Sequence, residues 1–225
     1  MINKNLLIIS FIKKDLLLVM RNKFSLILSY AFFTLIVFIF PLSFSYDSEI
    51  INYFLPVIIW IAIIISSLLS IEYIYRDEYE NGFIDYIILS SNRLNIVLYS
   101  KIITGWFLNG IPISIMSFFM FYFLTNNIVL AKCLIIMLLP SLLIIHCLGC
   151  LGSVMTIGLI RSNIILLLII IPLLIPILLL SLHALKFAQN NISYNLQLFL
   201  ILIFLSFNLF FVPIISSFIL KLGVD

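Results

Sequence analysis

Apolar residues in this chain come in long unbroken runs, and polar positions collect between the runs instead of alternating with them. Six runs reach about the 20 residues that an α-helix needs to cross a bilayer. They lie at roughly 24 to 44, 50 to 71, 96 to 124, 129 to 158, 163 to 184 and 196 to 220. The predicted fold class is an all-α integral membrane protein with six transmembrane helices, and an even number of crossings returns both chain ends to one side. The connections expected on the other side are short, at 45–49, 125–127 and 186–195. Loops of that size build no receptor domain, so a substrate must be met within the bundle, along its lipid face or on another protein.

The pattern is interrupted in two places. Residues 1–23 interleave Lys4, Lys13, Lys14, Asp15, Arg21 and Lys23 with Leu6, Ile9, Leu16, Val19 and Met20. This predicts a basic amphipathic helix at the interface, its apolar residues turned towards anionic lipid. The second interruption, 66–91, holds Glu72, Asp77, Glu78, Glu80 and Asp85, five of the nine acidic residues. Threading such groups through hydrocarbon costs roughly 2.5–3.5 kcal/mol each, so the island belongs at a water interface. Ile71, Tyr75, Tyr79, Phe83 and Tyr86 recur at helical spacing opposite the carboxylates. The reading is an in-plane surface helix between the second and third spans, over 72–92, able to dock a soluble partner.

With 64% hydrophobic and 9% charged residues, the 225-residue chain leaves no room for a soluble catalytic domain, and a single bundle over 1–225 is expected. The first apolar run is broken by Lys13, Lys14 and Asp15 and has no small-residue cleavage site, which argues against a removable leader. A net charge of +3 says less than its placement. Lys4, Lys13, Lys14, Arg21, Lys23, Arg76, Arg93, Lys101, Arg161 and Lys221 share the side of the termini, against Lys132 and Lys186 opposite. By the positive-inside bias, both termini and the acidic island are expected in the cytoplasm.

Within the spans, Pro56, Pro112, Pro140, Pro172, Pro176 and Pro213 each remove a backbone donor, as membrane helices tolerate where neighbours satisfy the freed carbonyl. Gly149, Cys150, Gly152, Ser153 and Thr156 on the fourth span form a small-residue surface, as do Gly105, Gly110, Ser114 and Ser117 on the third. Such surfaces let helix backbones approach closely. Cys133, Cys147 and Cys150 lie in or beside apolar runs and read as buried hydrophobes; the C-x-x-C of Cys147 and Cys150 lacks a redox or metal context.

No glycine opens a phosphate-binding loop, so ATP consumption must come from another chain. Metalloprotease, serine-hydrolase and paired intramembrane carboxylate patterns are missing too, and no nucleic-acid partner is indicated. His146, in mid-span, and His183, near the far end of the fifth span, are the candidate haem contacts. An intramembrane imidazole is a functional candidate by default and can ligate haem iron. A histidine bonded across a helix interface is the plainer alternative. Trp60 and Trp106 stand too far apart to form a tryptophan-rich surface.

Over nearly its whole length the chain resembles the CcmB family, the heme exporter protein B subunits of the cytochrome c maturation system. The resemblance rests on Lys14-Asp15 with Arg21, Phe40-Pro41-Leu42, and Pro56 with Trp60. It continues through 66–91 with Glu72, Arg76-Asp77 and Glu80-Asn81-Gly82, then Lys101, Trp106, Gly110 and Pro112. Leu148-Gly149 to Gly158-Leu159 with Arg161, and Pro172 with Pro176, complete it. The family usually has Glu-Asp-Gly where this chain has Glu80-Asn81-Gly82; Asn-Gly keeps the turn and changes the charge.

The resemblance implies an ABC-2-exporter-like permease subunit of a haem exporter complex, in a bacterial inner membrane or a mitochondrial one if organelle-encoded. It holds no permanent cofactor; haem is the implied cargo and ATP is bound by a partner. The implied partners are a cytosolic ABC ATPase, a haem-handling membrane protein with a tryptophan-rich segment, a small single-span protein and a periplasmic haem chaperone. A second copy of the chain is also admissible. Contact with the ATPase is expected at Glu72, Arg76, Asp77, Glu78, Glu80 and Gly82, with Asp15, Arg21 and Arg161 as secondary contacts. Two alternatives stay open: a permease for another lipophilic cargo, and a non-transporting scaffold of the maturation complex.

Overall fold

In the computed structural model, residues 4–21, 23–43, 48–82, 94–156 and 162–222 are described, and all structured elements among them are helical. Helix α1 is Lys4–Arg21, α2 Phe24–Ser43 and α3 Ser48–Glu80. The third span is composite: α4, Leu94–Gly105, then a π-helical segment, Trp106–Gly110, then α5, Ile111–Thr125. Helices α6, Ile128–Thr156, α7, Ser162–Gln189, and α8, Asn195–Leu222, complete the chain. In hydrocarbon, backbone groups find partners only within the protein, which is why apolar runs of this length fold as helices.

Six stretches are long and apolar enough to span a bilayer: Phe24–Leu42, Tyr53–Ile71, Leu94–Thr125, Ile128–Thr156, Leu168–Gln189 and Asn195–Lys221. The chain is thus a multi-pass membrane protein, and its six spans match those expected from the apolar runs. The fifth runs further than expected, to Gln189, because Ile192 donates its N–H to Phe187 O (2.9 Å) and Asn191 takes a left-handed φ of 54°. At the other tight turn, Asn126 is left-handed (φ 53°), and Asn127 Oδ1 caps α6 by accepting the N–H groups of Val129 (3.1 Å) and Leu130 (3.2 Å).

Helix α6 is the centre of the bundle, packed by α3, α4, α5, α7 and α8, and apolar on all sides as a core helix must be. The expected small-residue surface makes that packing possible. A Cβ at Gly149 would lie 2.5 Å from Ile71 Cδ1, and one at Gly152 would lie 2.8 Å from Ile170 Cδ1. On the third span Ser114 and Ser117 are fully buried, and a Cβ at Gly105 would meet the His146 ring at 2.8 Å. Cys133, Cys147 and Cys150 are free thiols in the core, as expected. The helices continue through Pro56, Pro140, Pro172, Pro176 and Pro213.

Candidate functional site

The acidic island is the first feature that the fold redefines. Helix α3 does not end where its membrane span ends at Ile71, but continues to Glu80. At ~1.5 Å per residue its 33 residues extend about 50 Å, against ~30 Å of hydrocarbon. The first half of the island is therefore no separate in-plane helix, as the aromatic spacing suggested, but a continuation of the helix that carries the second span. Glu72, Arg76, Asp77, Glu78 and Glu80 all stand on that extension, although their side chains lie outside the described residues. Phe83, Asp85 and Tyr86, with the remainder of 83–93, lie outside them entirely.

The extension ends at Asn81 and Gly82, both exposed. Gly82 has φ +68°, the left-handed conformation that closes many helices and that glycine adopts without steric penalty. Among the described residues nothing lies within 4 Å of where its Cβ would be, and the backbone angle itself calls for glycine here. The last turn carries Asp77, Glu78 and Glu80 and no basic residue. Carboxylates at a helix C-terminus oppose the macrodipole, at about 0.3–1 kcal/mol each. Local helix stability therefore does not explain this charge.

Asp15, expected as a secondary contact for a soluble partner, is instead turned into the protein. It is 7% exposed, on the side of α1 that packs against α4. Its carboxylate pairs with Lys14 Nζ at 3.2 Å and lies within electrostatic reach of the buried Lys101 of α4. Burial pushes the Lys14 pKa below its usual value, and Asp15 beside it holds back part of the shift. The lipid-facing assignment on α1 changes accordingly. Ile9, Leu17 and Leu18 are exposed, whereas Leu16 is only half-exposed. The side chains of Leu6, Val19, Met20 and Arg21 lie outside the described residues, as does Arg161 altogether. Lys101, counted from its charge among the water-facing cations, sits in the packed interface because Asp15 and the α1 surface cover it.

Deeper in the bundle, polar groups of three spans meet beside the π segment. Asn109 Nδ2 donates to Ser29 Oγ (2.9 Å), and Ser29 Oγ donates to Ser66 O (2.7 Å). This chain links the third span to the first and second. Tyr30 OH donates to Leu108 O, and Trp106 Nε1 donates to Leu139 O of α6 (3.0 Å). Trp106 thus serves bundle packing. Trp60, 1% exposed, does so too.

The two histidines are not brought together. His146 is 3% exposed, its Nδ1 bonded to Leu142 O at 2.8 Å, and its ring packs against Gly105. A porphyrin could not reach that imidazole without displacing α4. His183 is exposed on the outside of α7, near the end opposite the termini. Among the described residues no cluster of three or more His, Cys, Asp or Glu side chains could hold a metal ion.

Sequence reasoning missed the π segment and the inward docking of Asp15. Each had a signal: Asn109 between Gly105, Gly110 and Pro112 in the first case, and Lys101 inside an apolar run in the second.

Comparison with known proteins adds the family. The profile of the CcmB protein family matches residues 6–222. Heme exporter protein B of Haemophilus influenzae is 28% identical over 193 residues, covering 86% of this chain and 87% of that protein. The Pseudomonas aeruginosa protein of the same name is 31% identical over 158 residues, 69% of this chain and 70% of its own length. That of Escherichia coli K12 is 27% identical over 161 residues, 72% of this chain and 73% of its own.

Proposed function

Since this chain belongs to the CcmB family, we propose that it is the membrane subunit of a haem exporter serving c-type cytochrome biogenesis in a bacterial inner membrane. It is no enzyme by itself. A separate cytosolic ABC ATPase burns the nucleotide, and this chain passes the resulting motion into the bundle. Haem is cargo, not a resident cofactor. The other partners are a tryptophan-rich haem-handling membrane protein, a small single-span protein and the periplasmic chaperone whose haem-loaded form the ATP cycle releases.

The observation that carries this reading is the continuation of the second span into the acidic helix ending at Glu80. Coupling requires an element that contacts the open and closed ATPase differently and is joined firmly to the spans. A helix that continues without interruption from the core past the bilayer meets the second condition. Acidic residues placed against the helix dipole, where they oppose folding locally, support a role in recognition. Glu72, Arg76, Asp77, Glu78 and Glu80 form the contact, and the left-handed turn at Gly82 ends it. On this reading the termini and the acidic extension are cytoplasmic, as the ten-to-two division of basic residues favours. Arg21 and Arg161 are secondary contacts. Asp15, being buried, positions α1 instead.

The test is purification of the tagged chain from its own membrane, with ATP hydrolysis measured in the eluate. A co-eluting ATPase is expected, together with loss of covalent haem from c-type cytochromes when the gene is deleted. Normal cytochrome c in the deletion strain would exclude the haem role. Labelling of a cysteine placed at Tyr79 by an impermeant reagent from outside the cell would exclude the orientation.

A further inference from the structure

We propose that the π segment Trp106–Gly110 is a hinge within the third span, about which α4, together with the α1 helix docked on it, pivots relative to α5. The backbone is weakened at this point. Ile111 donates its N–H to Trp106 O, five residues back, so the α pattern is broken for one turn. Pro112 follows directly and has no N–H to give to Leu108 O, its acceptor in a regular helix. A side chain from another span, the Tyr30 hydroxyl, takes over that carbonyl. The continuity of the third span at this point thus depends on a tertiary contact.

The arms on either side also answer to different neighbours. The α4 arm packs on α1 and α8, and the α5 arm packs on α3; α6 touches both. Between them the π segment is pinned to the bundle by Tyr30, Trp106 and the Asn109–Ser29–Ser66 chain. Pinning at the pivot with separately held arms is the arrangement of a hinge. The segment is also not at a fully satisfied minimum. Asn109 Oδ1 is buried and accepts no hydrogen bond from any protein group among the described residues, a situation that leaves room for a competing arrangement. Phe107, 59% exposed, faces outwards and takes no part in the pinning.

Deleting Phe107 removes the extra residue of the π turn and restores an α pattern while keeping α4 and α5 on their present neighbours. The test is pulsed electron spin resonance on the full chain in lipid nanodiscs, with spin-label amino acids at the exposed Ile103 and Phe119, one on each arm. A pair at Leu196 and Phe211 on α8 gives the width for an uninterrupted helix. The unaltered chain is expected to give a broad or two-peaked distance distribution between the arms, narrowing to the α8 width in the deletion. A distribution as narrow as that of α8 without the deletion overturns the hinge. Should the deletion fail to fold, Tyr30→Phe decides: broadening between Ile103 and Phe119 supports the hinge, and an unchanged width overturns it. The measurement needs no ATPase, so it stands or falls apart from the proposed function.

Discussion

Helices α3 and α8 are equally hydrophobic, with mean hydropathies of 2.6 and 2.7 over their spans, yet they do opposite things. The α3 span is 67% buried in the protein, whereas the α8 span is 22% buried and turns Phe199, Phe207, Phe210 and Phe218 outwards. Hydropathy reports that a helix crosses a bilayer, but not whether lipid or protein surrounds it, because an acyl chain is as apolar as a leucine. The small and polar residues make the distinction. The Ser29 hydroxyl of α2 donates to the Ser66 carbonyl of α3, and Ile71 of α3 fills the space that Gly149 leaves. Beyond the bilayer the contrast widens: α3 continues as an acidic helix, and α8 ends with a lone Lys221 in its last turn.

The sharpest way to break this contrast is to fill the α3–α6 contact. Gly149→Leu drives a side chain into Ile71 at a position where even a Cβ has no space. A loss of about 3 kcal/mol is expected, read as early thermal unfolding in detergent. Next comes Asp15→Asn, which removes the carboxylate paired with Lys14 inside the α1–α4 interface. It is expected to cost about 2 kcal/mol and to expose α1 to protease before the rest of the chain; an Asp15 that served only a soluble partner would leave both readouts unchanged. The smallest effect belongs to the lipid face of α8. Phe218→Ala should change stability by no more than about 0.5 kcal/mol, and a larger loss would mean that protein covers this face.

The pattern of apolar runs made the six spans legible to within a few residues, because span length and backbone satisfaction in lipid are local requirements. The small-residue surfaces were legible for the same reason, since Gly149 and Gly152 have one common use on a membrane helix. Asp15 was misjudged because its partners on α4 are distant in sequence, and a charge in an amphipathic stretch reads as exposed until something packs over it. The π segment was out of reach similarly: Gly105, Gly110 and Pro112 mark a weak point, but the capture of Leu108 O by Tyr30 depends on how the first span packs. For the acidic island, the aromatic spacing wrongly separated 72–80 from α3, with which it forms one helix. A stripe of period near four does not reveal whether a helix begins anew or continues.

The most direct measurement of the central claim is the double charge reversal Asp77→Lys/Glu78→Lys, expressed in cells that lack their own heme exporter protein B. Both changes lie beyond Ile71, outside the buried span, and lysines suit a helix C-terminus better than carboxylates, so thermal stability should be no lower than that of the unaltered chain. The expected result is a normally inserted, stable protein that no longer supports covalent haem in c-type cytochromes. Full cytochrome c maturation by the charge-reversed protein would contradict the assignment of the acidic end of α3 as the coupling element.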